Sequence, residues 1–524
     1  MNFARSILTV GSMTVLSRIT GFVRDTLAAN LLGASPAADA FFVALRLPSL
    51  FRSLFAEGAF SAAFVPLYAK VRKEGGEATA RLFAGEALSV LISVLLPFVA
   101  VIIVFMPQAM VVLAPGFGDK PETFAMAVEY GRMTFPYLLL VSIVALLAGV
   151  LNSNKSFAPG AAAPICFNAL MIIALVLSSV LHQEPGWMMA IAVTASGFMQ
   201  WAWLHLHCRA LGVAPVFAWP RLTPRVKKLF AQVGPGALGA GATQINLAVS
   251  TILASLLPTG AVAHLFYADR LNQLPLGVIG IAISTTLLPV LSARVQAGDE
   301  KGMRGYLGQA LDFGLMLGFP AAIGLGLAGW PIVHVLFEHG AFKPEDTMAT
   351  SAALSAYAFG IVPFILAKIL ATQFFAQHDT KTPVRIAITA VVLNIVFSLL
   401  LIKPMAQVGV ALATSLSSWV NVILLSIVLR RRKLFYLDKA VWPRTLKIML
   451  AAGVMALFLG FGGKPLAALL AQHAKWVNVG QLFAYLLAAM VVYIGALRLS
   501  GAMTWRELKW RELKAMLKKT EETE

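Results

Sequence analysis

Charge is scarce in this sequence. Of its 524 residues 13% are Asp, Glu, Lys or Arg and 59% are hydrophobic, whereas a soluble domain carries roughly a quarter charged residues. That deficit excludes a water-soluble globule. Long polar stretches are also missing: the interruptions near Arg209 to Lys228, Arg430 to Arg444 and after Arg498 are too short to house an extramembrane catalytic core. The two cysteines, Cys166 and Cys208, have no metal or redox spacing and read as small packing residues. His205 and His207, two apart on different helix faces, do not form a metal site. No Gly-x-x-x-x-Gly-Lys-Ser/Thr loop occurs, so ATP hydrolysis by the usual route is excluded and no cofactor is expected.

What is present is a series of apolar segments, each long enough to cross a hydrocarbon core about 30 Å thick. Breaks at charged and Pro/Gly-rich points give fourteen spans: 7–31, 38–68, 83–113, 125–151, 160–181, 187–208, 229–257, 263–293, 306–336, 347–376, 384–402, 407–429, 444–463 and 479–499. The first is kept as a span rather than a cleaved signal peptide because Arg18, Arg24 and Asp25 interrupt it. The formal charge of +18 would suggest nucleic acid in a soluble protein. Here its placement argues for topology. With the N-terminus inside, inside loops and the tail hold 29 Lys and Arg and outside loops five, so both termini are expected in the cytoplasm of a bacterial inner-membrane protein.

Phe42-Val43-Ala44-Leu45-Arg46-Leu47 on the second span aligns with Phe266-Tyr267-Ala268-Asp269-Arg270-Leu271 on the eighth. A match six helices apart implies two bundles of like topology. The expected fold is therefore all-α and polytopic, with a six-helix bundle over 1–210, a second over 211–433, two extra helices over 434–499 and a basic cytoplasmic tail over 500–524. Repeated bundles are typical of transporters, whose substrate site lies where the repeats meet.

Seven basic residues fall inside spans: Arg18, Arg24, Arg46, Arg52, Arg132, Arg270 and Lys368. Each costs about 2.5–3.5 kcal/mol near a bilayer centre, so four together cost on the order of 10–14 kcal/mol. Arg46 and Arg132 are read as snorkelling or paired with nearby acids. Arg18, Arg24, Arg52 and Arg270 outnumber the acids near them, Asp25, Asp39, Glu57 and Asp269, and Asp25 and Asp39 are placed toward the outer ends of their spans. A water-filled cavity lined by the four guanidinium groups would satisfy them and attract anions. Because arginine suits bidentate phosphate contacts, the expected substrate carries a phosphate or pyrophosphate.

Gly21-Phe22-Val23-Arg24-Asp25, Ala38-Asp39-Ala40-Phe41-Phe42, Pro48, Arg52, Ala56-Glu57-Gly58-Ala59-Phe60 and Ala63-Phe64-Val65-Pro66 form an ordered signature. It resembles that of the lipid II flippase family, within the multidrug/oligosaccharidyl-lipid/polysaccharide exporter superfamily. Ala114-Pro115-Gly116-Phe117, Phe135-Pro136-Tyr137, Leu151-Asn152, Tyr267-Ala268-Asp269-Arg270-Leu271 and Lys381-Thr382-Pro383 extend the likeness over nearly the whole chain. The resemblance implies a transporter that carries undecaprenyl-pyrophosphoryl-disaccharide-pentapeptide to the outer leaflet by alternating access. It assigns the cavity arginines to Arg18, Arg24, Arg52 and Arg270 and an acidic cavity residue to Asp39. Asp25, Glu57 and Asp269, near these arginines in sequence, are expected as further cavity or gate acids. It also implies that helices 13 and 14 form a groove for the lipid tail. Lipid II and membrane lipids are then the partners, with no nucleic acid; a monomer suffices, and contacts to cell-wall synthesis machinery are compatible with it.

The sequence departs from the family at two places. Some members bind sodium through carboxylates on helices 7 and 11; here helices 7, 11 and 12 hold no Asp or Glu, and only Asn246 and Asn394 are polar candidates, so no hard-cation site is expected. Gln273 stands where some relatives carry an acid. Among rival functions, a cationic-drug exporter would present acids to its cargo, a membrane enzyme would need paired carboxylates or a metal, and a scaffold needs no intramembrane charge. An O-antigen carrier shares the pyrophosphate, and only the signature argues against it.

Overall fold

The computed structural model describes residues 3–55, 59–434, 441–470 and 475–502; the described residues are overwhelmingly helical and form no strand. Where they are described, the residues of all fourteen predicted segments fall on helices or on the short turns between consecutive helices. The elements are α1 (Phe3–Leu32), α2 (Pro36–Phe55), α3 (Ala59–Val104), α4 (Met106–Leu113), α5 (Pro121–Thr134), α6 (Tyr137–Ser153), α7 (Ala158–Leu181), α8 (Pro185–Ala210) and α9 (Pro224–Ser255). They continue as α10 (Ala261–Pro275), α11 (Ile281–Gln296), α12 (Glu300–Leu327), α13 (Gly329–Phe337), α14 (Pro344–Ala358), α15 (Ile361–Ala376), α16 (Lys381–Arg431), α17 (Val441–Leu470) and α18 (Lys475–Leu499). The fold is thus an all-α polytopic one.

Among the described residues nine stretches are long and apolar enough to cross a membrane by length and composition, and one of them, Lys381–Arg431, contains both the eleventh and twelfth predicted segments. Local chemistry explains the divisions. Within α3 Gly76 adopts φ 76° and ψ 178°, a conformation open to glycine alone, and within α16 the chain turns at Ala406. Pro136, which has no N–H to donate, separates α5 from α6. Between α10 and α11 the backbone widens into a π-helical turn, Leu276–Gly280, directly after Pro275.

Close contacts divide the chain into two units, the first comprising Met1–Tyr267, Phe337–Thr350 and Val391–Val410, the second Ala268–Leu336, Ser351–Ala390 and Ala411–Glu524. The units interleave in sequence. In the first, Phe60, Phe64, Tyr68 and Phe83 of α3 pack with Leu147 and Leu151 of α6 and Leu204 of α8. Gly149 lies flat against the Phe64 ring, where a Cβ would collide. In the second, Ile365 and Ile369 of α15 fill the space left by Gly314 and Gly318 of α12. Small residues matter because lipid is as apolar as the side chains, so helices associate through close packing and hydrogen bonds rather than apolar burial. The last two helices belong to the second unit, where Tyr493 Oη donates to Met316 O at 2.7 Å and Arg444 pairs with Asp312 at 3.3 Å.

Candidate functional site

The sequence-selected residues occupy different surroundings. In the first unit Arg18 is exposed on α1. Arg24, less than two turns further along, is enclosed. Its Nε and Nη2 donate to Asp25 Oδ1 at 3.0 and 2.6 Å, and its Nη1 donates to Asn168 Oδ1 of α7 at 2.9 Å. The guanidinium also lies 5.6 Å from the centre of the Phe167 ring. Asn168 in turn donates to Ser17 O at 2.9 Å and Thr20 Oγ1 at 3.2 Å, so one amide ties α7 to α1 and orients the arginine. Asp25, expected toward the outer end of its span, is thus a direct partner of Arg24: the carboxylate takes both of these N–H groups, and the two side chains are 11% and 10% exposed.

Arg52 is half-buried in the last turn of α2, where its charge suits the helix dipole. Glu57 lies outside the described residues. Arg46 Nε donates to Thr251 Oγ1 at 3.1 Å, and Arg132 is exposed and donates to Ile103 O at 3.3 Å. Asp269 and Arg270 are half-buried in the second unit, within the two turns of α10 that precede the π-helical widening. Asp269 accepts a short hydrogen bond from Gln273 Nε2, one turn on. Arg18, Arg24 and Arg52 thus share the first unit and Arg270 belongs to the second.

Asp39 is 1% exposed and accepts from two backbone amides, Gly260 N at 2.6 Å and Ala263 N at 2.9 Å. It caps the start of α10, satisfying donors that a helix leaves unpaired at its N-terminus. Around this cap one end of the first unit closes tightly. His264 Nε2 lies 2.9 Å from Asp346 Oδ1, and Asp346 Oδ2 accepts from Lys343 N at the start of α14. Phe42 stacks on Phe266 with ring centres 3.8 Å apart, and Tyr267 packs edge-on against Phe42 and Phe342. Ala341 N donates to Asn30 O at 2.7 Å. Gly33 and Gly340, both at positive φ, permit this approach, since a Cβ on either would strike the opposing backbone.

The other signature motifs also have structural work. In Ala114-Pro115-Gly116-Phe117 the Gly116 amide donates to Ser255 Oγ at 3.2 Å and Lys120 donates to Leu257 O at 2.6 Å, seating this turn against the end of α9. In the second unit Asp379 accepts from Thr382 N at 3.0 Å and Oγ1 at 2.6 Å and from Arg432 Nη1 at 2.7 Å, which explains Lys381-Thr382-Pro383. Burial pushes the Asp379 carboxyl up, but the Thr382 and Arg432 donors outweigh it and hold it at about 2. Asn394 of α16 donates to Asn246 of α9, joining the polar candidates of the eleventh and seventh predicted spans in the first unit. Sequence reasoning missed Asn168 and His264; the only signal for either was a polar residue inside an apolar span.

A family model for the lipid II flippase MurJ matches residues 28–486. A probable lipid II flippase MurJ of Rhizobium tropici is 38% identical over 94% of this chain and 93% of its own length. The chain belongs to the MurJ lipid II flippase family. A family member from Burkholderia cenocepacia is 34% identical over 83% of this chain and 85% of that protein. Among solved structures, a lipid II flippase MurJ in an inward closed conformation is similar with a TM-score of 0.75 and 26% identity, covering 97% of this chain and 99% of that one. An inward-facing multidrug resistance MATE transporter of the MOP superfamily shares the fold, with a TM-score of 0.68 at 15% identity over 81% of this chain and 97% of that one.

Proposed function

We propose that this chain moves lipid II from the cytoplasmic to the periplasmic leaflet by alternating access, as a multi-pass protein of the inner membrane with both termini in the cytoplasm. The observation that carries the reading is the family match across residues 28–486, which takes in Arg52, Arg270 and most of the second unit and begins just after Arg18 and Arg24. Arg18, Arg24, Arg52 and Arg270 are read as the pyrophosphate-binding groups. Guanidinium forks suit that group because each can donate two parallel hydrogen bonds to phosphate oxygens, and a wet cavity keeps the charges hydrated between cycles. Asp25, Asp39, Glu57 and Asp269 are read as acids that restrain these arginines or close the cavity. Residues 1–210 and 211–433 are read as the two rocking bundles, 434–499 as the groove for the prenyl tail and 500–524 as a cytoplasmic tail. The chain is a transporter rather than an enzyme and acts as a monomer.

The test is depletion of the chromosomal copy with complementation by this chain, reading the fraction of lipid II accessible to a cleaving probe added outside the inner membrane. The expected outcome is loss of accessible lipid II on depletion and its return on complementation. Return of an accessible O-antigen carrier lipid, with lipid II unaffected, would replace the reading.

A further inference from the structure

The connection between α8 and α9, residues 211–223, is an extended strap laid along α3. Arg81 Nε donates to Ala214 O at 2.9 Å and Val216 N donates back to Arg81 O at 3.3 Å. Ser89 Oγ donates to Ala218 O at 2.5 Å, and Thr223 Oγ1 donates to Glu86 Oε2 at 2.9 Å. Gly85 lets the strap lie flat, because a Cβ there would overlap the Val216 carbonyl. Val213 at one end and Val226 and Leu229 beyond the other are buried in the core of the first unit. With its backbone fixed on both sides, the strap cannot turn its outer side chains inward.

Those outer side chains are large and apolar. Phe217, Trp219 and Leu222 are 83%, 72% and 71% exposed, and the two rings lie edge to face 6.3 Å apart. Around them stand five exposed cations, Arg209, Arg221, Arg225, Lys227 and Lys228. None of the ion pairs among the described residues uses one of the five.

The position of the strap names its occupant. It runs beside Arg81 to Ser89, and Glu86 is the last charge on α3 before an unbroken uncharged run to Gly118. The strap therefore sits at the level where a membrane changes from headgroups to hydrocarbon. An aromatic pair prefers that layer, and a cluster of cations beside a membrane helix attracts anionic headgroups.

We propose that the strap is a lipid-binding surface: Phe217, Trp219 and Leu222 insert at the headgroup boundary, and the five cations select anionic phospholipid there. Full-length protein in nanodiscs of phosphatidylcholine, with or without phosphatidylglycerol, tests this without reference to transport. Bromine on the upper acyl chain should quench a fluorescence component that is absent from Trp219→Phe. Native mass spectrometry should show phosphatidylglycerol retained in preference to phosphatidylcholine. Arg221→Gln should weaken that preference by about fivefold at low salt, and Arg221→Gln/Arg225→Gln by more. All three positions are exposed, so melting temperatures should match wild type and report intact folding. Quenching of the Trp219 component by aqueous iodide and not by brominated lipid would overturn the insertion. Equal retention of both lipids by wild type would overturn the anionic preference.

Discussion

Arg18 and Arg24 sit less than two turns apart on α1, yet one is exposed and the other is enclosed by Asp25, Asn168 and Phe167. The same residue type, in the same helix, therefore does two different things. An exposed guanidinium keeps its donors available to a ligand. An enclosed one has donors committed to protein acceptors, so a ligand can reach it only by competing with a carboxylate. The contrast warns against treating intramembrane arginines as one class, and it makes removal of each produce a different ratio of lost stability to lost transport.

The largest effect on stability is expected for Arg24→Ala, which removes the guanidinium that donates to Asp25 and to the Asn168 carbonyl at a site about nine-tenths buried. A loss of about 3 kcal/mol is expected, seen as reduced membrane abundance and a lower melting temperature. Arg24→Ala/Asp25→Asn removes both members of the ion pair and should recover most of the abundance. If it also recovers complementation, the guanidinium has no role beyond neutralising Asp25, and the comparison with Arg18 loses its point. A smaller effect, about 1–3 kcal/mol, is expected for Asp39→Asn, because an amide can accept from only one of the Gly260 and Ala263 N–H groups and points its own N–H at the other. Thermal melting of the purified variant checks it, and an unchanged midpoint would show that the cap of α10 contributes nothing. The smallest is expected for Arg18→Ala. Exposed and away from such contacts, it should stay within about 0.5 kcal/mol of wild type while failing to complement a depletion strain. Full complementation at normal abundance would remove Arg18 from the substrate-binding set.

The helices were legible because hydropathy integrates over about twenty residues, and a segment's length in lipid leaves little choice of structure. The break at Gly76 was legible, since it falls between the second and third predicted spans and reaches a backbone conformation closed to other residues; the break at Pro136 was not, since the predicted span 125–151 runs through it. The side-chain pairings were not. Adjacent residues on a helix ordinarily point apart, so Asp25 was not an obvious partner for Arg24; the long guanidinium arm folds back to reach it with two N–H groups. Asp39 serves a helix more than two hundred residues away, a relation that local pattern cannot express. Asp269 and Gln273 were within reach of such a rule, being four apart on α10.

The stack of Phe42 on Phe266 joins equivalent positions of the repeated Phe-x-Ala-x-Arg-Leu stretch. In a symmetric dimer, contact between equivalent positions is what a self-complementary interface produces. A half-length ancestor carrying the stretch once would form it only by meeting a second copy of itself, ring against identical ring. Duplication and fusion would then turn a subunit interface into an internal one. In one chain the two rings would be free to differ, as the aligned neighbours do: Val43 stands opposite Tyr267 in the alignment, and Leu45 opposite Asp269.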